Sequence, residues 1–156
     1  MQLLIDPAGA DRNSRVTGIR LATLLTRLME VWRLGRYDAD NALIIVAVIA
    51  ITSEKLIRAG LTETQRSLEE YLPLSRLQGC NVSSIAAATG INRETVRRRV
   101  RKLMDEGALI RTDAGEIALP PERVNDDIAL SLVRRQLEAV TRFMNESIRD
   151  GAVVAE

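Results

Sequence analysis

The chain has 156 residues, 22 basic and 21 acidic side chains, a net charge of +1, one cysteine and no histidine. A chain of this length buries roughly 70% of its unfolded surface without staples; the lone Cys80 excludes an internal disulfide and fits a reducing cytoplasm, and the missing histidines argue against a zinc site or a nucleophilic triad. The N-terminus lacks the basic and apolar regions of a signal peptide, and the strongest apolar run, Ala42–Ile51, spans about 15 Å as a helix where a membrane needs around 20 residues, so a soluble protein is expected.

Residues 1–13 are predicted as a flexible arm. From Ser14 the spacing is helical: Val16, Ile19, Leu21, Leu24, Leu25, Leu28, Val31 and Trp32 make a broad apolar face, with Arg20, Arg27 and Arg33 off it. Gly35 is predicted to stop this helix. A second helix is expected from near Asp38–Asp40, where acids suit the positive end of the helix dipole, to about Arg58, with Gly60 ending it. Its first half, ALIIVAVIAI, is apolar all round. A central strand is the competing reading, but the pattern continues through Ser53–Arg58 without turn residues, and no neighbouring strand is available to pair with it. A helix apolar on every side must be enclosed on every side, which implies a partner subunit. Thr62-Glu63-Thr64-Gln65 fits a capping box, opening a short helix to about Leu72 that Pro73 closes. Residues 14–72 therefore read as core and dimerisation helices.

The segment 73–119 has a different character. Asn81 is placed as an N-cap for a first helix. Ile85 and the small Ala86 face a second one, and Gly90 closes the first with a left-handed backbone angle. Ile91 plugs the corner, Asn92 caps the second helix, and Val96, Val100 and Leu103 bury its inner face. Gly107 stops it. Leu109–Thr112 and Glu116–Leu119 read as two short strands around the turn Asp113-Ala114-Gly115. Charge is concentrated here: residues 82–111 carry seven basic and three acidic side chains, against ten and nine before and five and nine after. Such a local patch is the electrostatic footprint of a nucleic-acid binder, although most charge runs are solvated faces. The outer face of the second helix carries Glu94, Arg98, Arg101 and Asp105, flanked by Thr95, Arg97 and Lys102. An arginine fork bonds guanine O6 and N7 together, worth about 1–3 kcal/mol of discrimination. Thr95 suits a thymine methyl or a phosphate, Glu94 either a cytosine N4 or the helix N-terminus, and Arg111 on the hairpin a phosphate or the minor groove.

After Pro120-Pro121 a long helix is predicted from about Glu122 to Arg149, within a C-terminal segment of 120–156. Val133, Leu137, Val140 and Met144 are spaced 4, 3 and 4 apart, with Ile128 and Ile148 extending the stripe, which resembles a coiled-coil seam.

The order and spacing from Asn81 to Leu119 resemble bacterial winged helix-turn-helix transcriptional regulators, close in style to the MarR and IclR groups. Ala86, Gly90, Val96, Val100, Leu103, Gly107 and the arginines of the second helix carry the likeness, over about 40 of the 156 residues. The resemblance implies a mainly α fold with a small β-hairpin wing, a winged helix-turn-helix flanked by dimerisation helices. It also implies a homodimeric, sequence-specific regulator whose partner is double-stranded DNA, with no cofactor and no metal. The candidate DNA contacts are Ser83, Asn92, Arg93, Thr95, Arg97, Arg98, Arg101 and Arg111. Two positions depart from the pattern: 89 and 99 are usually apolar in such proteins and here are Thr89 and Arg99. Arg99 either lies at the core edge with its stem packed, or pairs with an acid from a flanking helix.

Other readings stand beside this one. A winged-helix module that binds a protein partner is the main alternative. A small-molecule effector pocket along Ala42–Ile51, with Trp32 and Tyr37, competes with plain core packing. Cys80 as a redox switch has only Arg76 nearby to lower its pKa, and a small residue in a loop is the plainer reading. Catalysis has little support: there is no phosphate loop or dinucleotide motif, and the acid pairs Glu69-Glu70 and Asp126-Asp127 diverge on predicted helices.

Overall fold

The computed structural model describes residues 2–33, 37–68, 78–124 and 127–156. In chain order the elements are β1 (Leu3–Ile5), α1 (Pro7–Arg12), α2 (Ser14–Arg33), α3 (Ala39–Ala59), a 3₁₀ turn (Thr64–Arg66), α4 (Val82–Thr89), α5 (Arg93–Asp105), β2 (Ile110–Arg111), β3 (Ile117–Ala118), α6 (Pro121–Val124), α7 (Asp127–Arg149) and β4 (Val153–Ala155). The fold is mainly α with a small antiparallel hairpin. By contacts the chain gathers into two units, Met1–Arg36 with Ser131–Glu156, and Tyr37–Leu130.

The first unit joins the two ends of the chain. β1 pairs antiparallel with β4 in the register Leu3↔Ala155, Leu4↔Val154, Ile5↔Val153. Gln2 and Glu156 exchange backbone hydrogen bonds at 2.6 and 2.9 Å. Asp6 caps α1 by accepting from the Ala8 N–H at 3.1 Å, and Pro7 takes the first helical position, where its missing N–H costs nothing. The flexible arm expected at 1–13 is thus corrected to a strand and a helix. Its pairing partner lies at the far end of the sequence, beyond any local pattern. The Asn13 amide donates to the Asp150 carbonyl at 2.7 Å, while Arg20 of α2 reaches Glu146 of α7 at 2.7 Å and also Asp150. Arg20 depresses the Asp150 carboxyl below its usual range by direct hydrogen bonding. Along α2, Leu24 and Leu28 are half-buried, but Val16, Ile19, Leu21, Leu25 and Met29 remain exposed; on α7 so do Val133, Leu137, Val140 and Ile148.

In the second unit, α3 follows the predicted bounds. The Asp38 carboxylate accepts from the Asn41 N–H at 2.8 Å, and Gly60 caps the other end. Ala42, Ile44, Ile45, Ala47, Val48 and Thr52 are buried on one face, which packs against α4, α5 and β3. The Thr52 hydroxyl donates to the Val48 carbonyl at 2.8 Å, so burial leaves no orphaned donor. The opposite stripe, Leu43, Val46 and Ile49, stays 36–44% exposed. Among the described residues of this unit, α3 is covered on one side. The core continues through Ile85, Val96, Leu103, Leu109 and Ile117, all fully buried, each aliphatic side chain contributing about 1.5–3 kcal/mol.

The capping box at Thr62–Gln65 is formed: the Thr62 N–H donates to the Gln65 side chain at 3.2 Å and the Gln65 N–H to the Thr62 hydroxyl at 3.3 Å. It opens a 3₁₀ turn, Thr64–Arg66, and the backbone at Ser67 is already extended, so the predicted helix does not continue through Ser67. Leu72, Pro73 and Gly35 lie outside the described residues. Of the long helix predicted from Glu122 to Arg149, α6 (Pro121–Val124) and α7 (Asp127–Arg149) are helical, and residues 125–126 between them lie outside the described residues. Among the described residues no helix is long and apolar enough to cross a membrane.

Candidate nucleic-acid interface

Three pieces of the second unit build one surface: the start of α4, the outer face of α5 and the β2–β3 hairpin. The local sequence fixes each. Asn81 caps α4 by accepting from the Ser84 N–H at 2.9 Å. Gly90 ends it at φ +71, where an added Cβ would meet nothing within 4 Å; the requirement is one of backbone angle, not of space. Thr89 fits a position where the resemblance expects an apolar residue because its hydroxyl is consumed by the turn. It donates to the Ile85 carbonyl at 2.8 Å and accepts from the Ile91 N–H at 3.3 Å. Asn92 caps α5 by accepting from the Glu94 N–H at 2.9 Å. Val96, Val100 and Leu103 are buried, so the helix is seated with the predicted face inward. Gly107 follows at φ +68, and the Leu103 carbonyl accepts from the Ala108 and Leu109 N–H groups as the chain turns away.

The hairpin pairs Ile110 with Ala118 and Arg111 with Ile117. Its turn is closed by Gly115 N–H to the Thr112 carbonyl at 2.8 Å, and the Arg111 guanidinium donates to the Gly115 carbonyl at 2.6 Å. A further residue joins this small sheet. Cys80 and Ile117 exchange two backbone hydrogen bonds, each 2.8 Å. That approach requires Gly79, since a Cβ there would fall 2.3 Å from the Glu116 Cβ. The Gly79 N–H also donates to the Glu116 carboxylate at 3.0 Å. Cys80 is therefore a buried, strand-paired residue and not a loop residue, and its burial leaves little thiol surface for an oxidant.

Ser83, Arg93, Arg97 and Arg111 line one groove between the start of α4, α5 and the wing. Arg97, Arg101 and Arg111 line a second, adjoining groove with Val82, Val100 and Met104. Five of the eight candidate contacts thus converge on one concave strip. Arg98 is exposed on the neighbouring outward face of α5. Thr95 is half-buried, and the Asn92 side-chain oxygen is engaged in capping α5.

The electrostatics sharpen the picture. Of the three acids in this segment, Glu94 pairs with Arg97, and Glu106 lies 3.7 Å from Lys102. Arg93, Arg98, Arg101 and Arg111 have no ion-pair partner among the described residues. Their charge is therefore uncompensated among the described residues of the unit, exposed on the convergent strip and beside it. Arg99 behaves differently. It turns inward to Asp38, Asp40 and Asn41 at the start of α3, so the second of its two sequence readings is the one realised. The Asp38 carboxyl is depressed below its usual range, first by the Asn41 N–H and then by Arg99. Sequence reasoning assigned Asp38 and Asp40 to the helix dipole alone, because nothing local signals a partner some sixty positions away.

Residues 78–110 match the model of the winged helix-turn-helix DNA-binding family. The match runs from just before Cys80 to the first residue of β2 and so takes in α4, the turn and α5. No curated protein and no solved structure shows significant similarity to the chain. Helix, tight turn, cationic second helix and hairpin wing together make a winged helix-turn-helix, and the match to a DNA-binding family supports DNA as the partner of this domain.

Proposed function

We propose that the protein is a homodimeric, sequence-specific transcriptional regulator of the MarR- or IclR-like bacterial kind, acting in the cytoplasm without a cofactor. The observation that carries this reading is the convergence of Arg93, Arg97, Arg101 and Arg111 on one strip between α5 and the wing, with Arg98 exposed beside it. In this reading the first turns of α5 enter the major groove, where arginine forks meet guanine edges. Ser83 and the wing residue Arg111 hold the flanking phosphates, which fix register without reading sequence. Arg97 exchanges Glu94 for DNA when it binds.

The exposed apolar side chains support the dimer. α2 presents Ile19, Leu25 and Met29, and α7 presents Val133, Leu137 and Val140 at coiled-coil spacing. Scattered exposed leucines need no explanation, but rows of them on two helices mark an interaction surface. Two-fold symmetry then sets a pseudo-palindromic site with half-site centres about 34 Å apart or a multiple of it.

Selection from a random duplex library, followed by footprinting on the enriched sequence, tests the proposal. The expected result is an inverted repeat protected over two half-sites. Equal binding to duplexes of every sequence would make the protein a non-specific DNA binder, and no binding at low salt would leave a winged-helix module for a protein partner.

A further inference from the structure

Five arginines stand on α5, and four of them, Arg93, Arg97, Arg98 and Arg101, are exposed. Arg99 is the exception, with its side chain 24% exposed against 48% for Arg97. Its fork is held by the start of α3. Nη1 donates to the two Asp38 carboxylate oxygens at 3.0 and 2.8 Å and to the Asn41 side-chain oxygen at 3.1 Å. Nη2 lies 2.8 Å from Asp40. Asp38 at the same time caps α3. Nε is buried with no hydrogen-bond partner, and an unmet buried N–H is unfavourable. The guanidinium is therefore drawn toward the acids at the expense of that donor, and it is turned away from the strip where DNA would lie.

A planar fork that bridges two carboxylates fixes direction as well as charge, which an ammonium does not. Each residue of α5 advances about 100° around the helix axis, so its position on the axis decides which way every other arginine points. We infer that Arg99 is a positioning residue for DNA reading: it touches neither base nor phosphate, and it locks the rotation of α5 against the N-terminus of α3. Arg97, Arg98 and Arg101 then meet the base edges that this rotation sets. The inference rests on the DNA-binding reading above.

Arg99→Met keeps the packed stem and removes the fork; Arg99→Lys keeps the charge without the fork; Asp40→Asn weakens the anchor while leaving the Asp38 cap in place. Each is titrated against the duplex that the wild type enriches and against a random-sequence duplex, over a range of salt. Arg99→Met is expected to lose tenfold or more in the ratio of the two affinities with an unchanged salt slope. Arg99→Lys should not restore the ratio, and Asp40→Asn should lower it in the same direction. If Arg99→Met does not fold, Asp40→Asn decides alone. A salt slope shallower by about 0.9 per protomer in the Met variant, regained with Lys, would make Arg99 a phosphate contact and overturn the inference. An unchanged ratio would overturn it as well, leaving a purely structural ion pair. A wild type that enriches no sequence removes the DNA-reading premise and the inference with it; enrichment followed by an unchanged ratio removes the inference alone.

Discussion

Arg98→Ala separates recognition from folding more cleanly than any other change on α5. Arg98 is exposed, and it has no ion-pair partner among the described residues, so its truncation strands no other charge in the fold. Exposed substitutions of this kind stay within about 0.5 kcal/mol of wild-type stability. A bidentate contact to guanine carries about 1–3 kcal/mol of discrimination, which corresponds to roughly 5- to 150-fold in affinity ratio. Arg97→Ala should cost less, because the wild-type side chain must first leave Glu94. The assay is a competition titration in which each operator position is varied in turn, with a thermal melt run beside it. The expected outcome is a flattened preference at one position per half-site and an unmoved melting temperature. Full base preference in Arg98→Ala would show that a different face of α5 meets the groove.

Three further outcomes follow from the same structure. Arg111→Ala removes a wing cation whose guanidinium donates to the Gly115 carbonyl, so binding should weaken about equally on all sequences and the salt slope should fall by about 1 per protomer, read by titration at several salt concentrations. Leu137→Asp places a charge on the exposed stripe of α7, where it has no core packing to damage; light scattering should report a monomer, and an unchanged mass would refute the α7 seam. Leu103→Ala empties a fully buried position beneath α5 and should cost about 2–5 kcal/mol in denaturant unfolding, with a loss under 1 kcal/mol refuting the packing described.

The helix-turn-helix frame was legible from the sequence because its determinants are local. Asn81, Gly90 and Asn92 announce a helix, a left-handed turn and a second helix within a dozen residues, and Val96, Val100 and Leu103 declare the buried face by spacing alone. Asp38 and Gly60 bracket α3 in the same way. The features that escaped were pairings between distant residues. Leu3–Ile5 is too short to read as a strand until Val153–Ala155 lies beside it. Cys80 joins the wing only because Gly79 admits a close approach to Glu116, and no period in the sequence encodes that contact. Arg99 could be marked as a departure from an apolar position, but its destination depended on how α3 crosses α5. The capping box at Thr62 was read correctly as chemistry and wrongly as length, since a cap starts a helix without sustaining one through Ser67.

The central claim is that the strip of arginines between α5 and the wing binds duplex DNA. The direct test is the salt dependence of wild-type affinity for the enriched duplex. With about three phosphate contacts from each protomer, a dimer should give a slope of log K against log salt near −5, and lose about a thousandfold between 50 and 200 mM. A slope near zero, or no binding to duplex DNA at low salt, would contradict it.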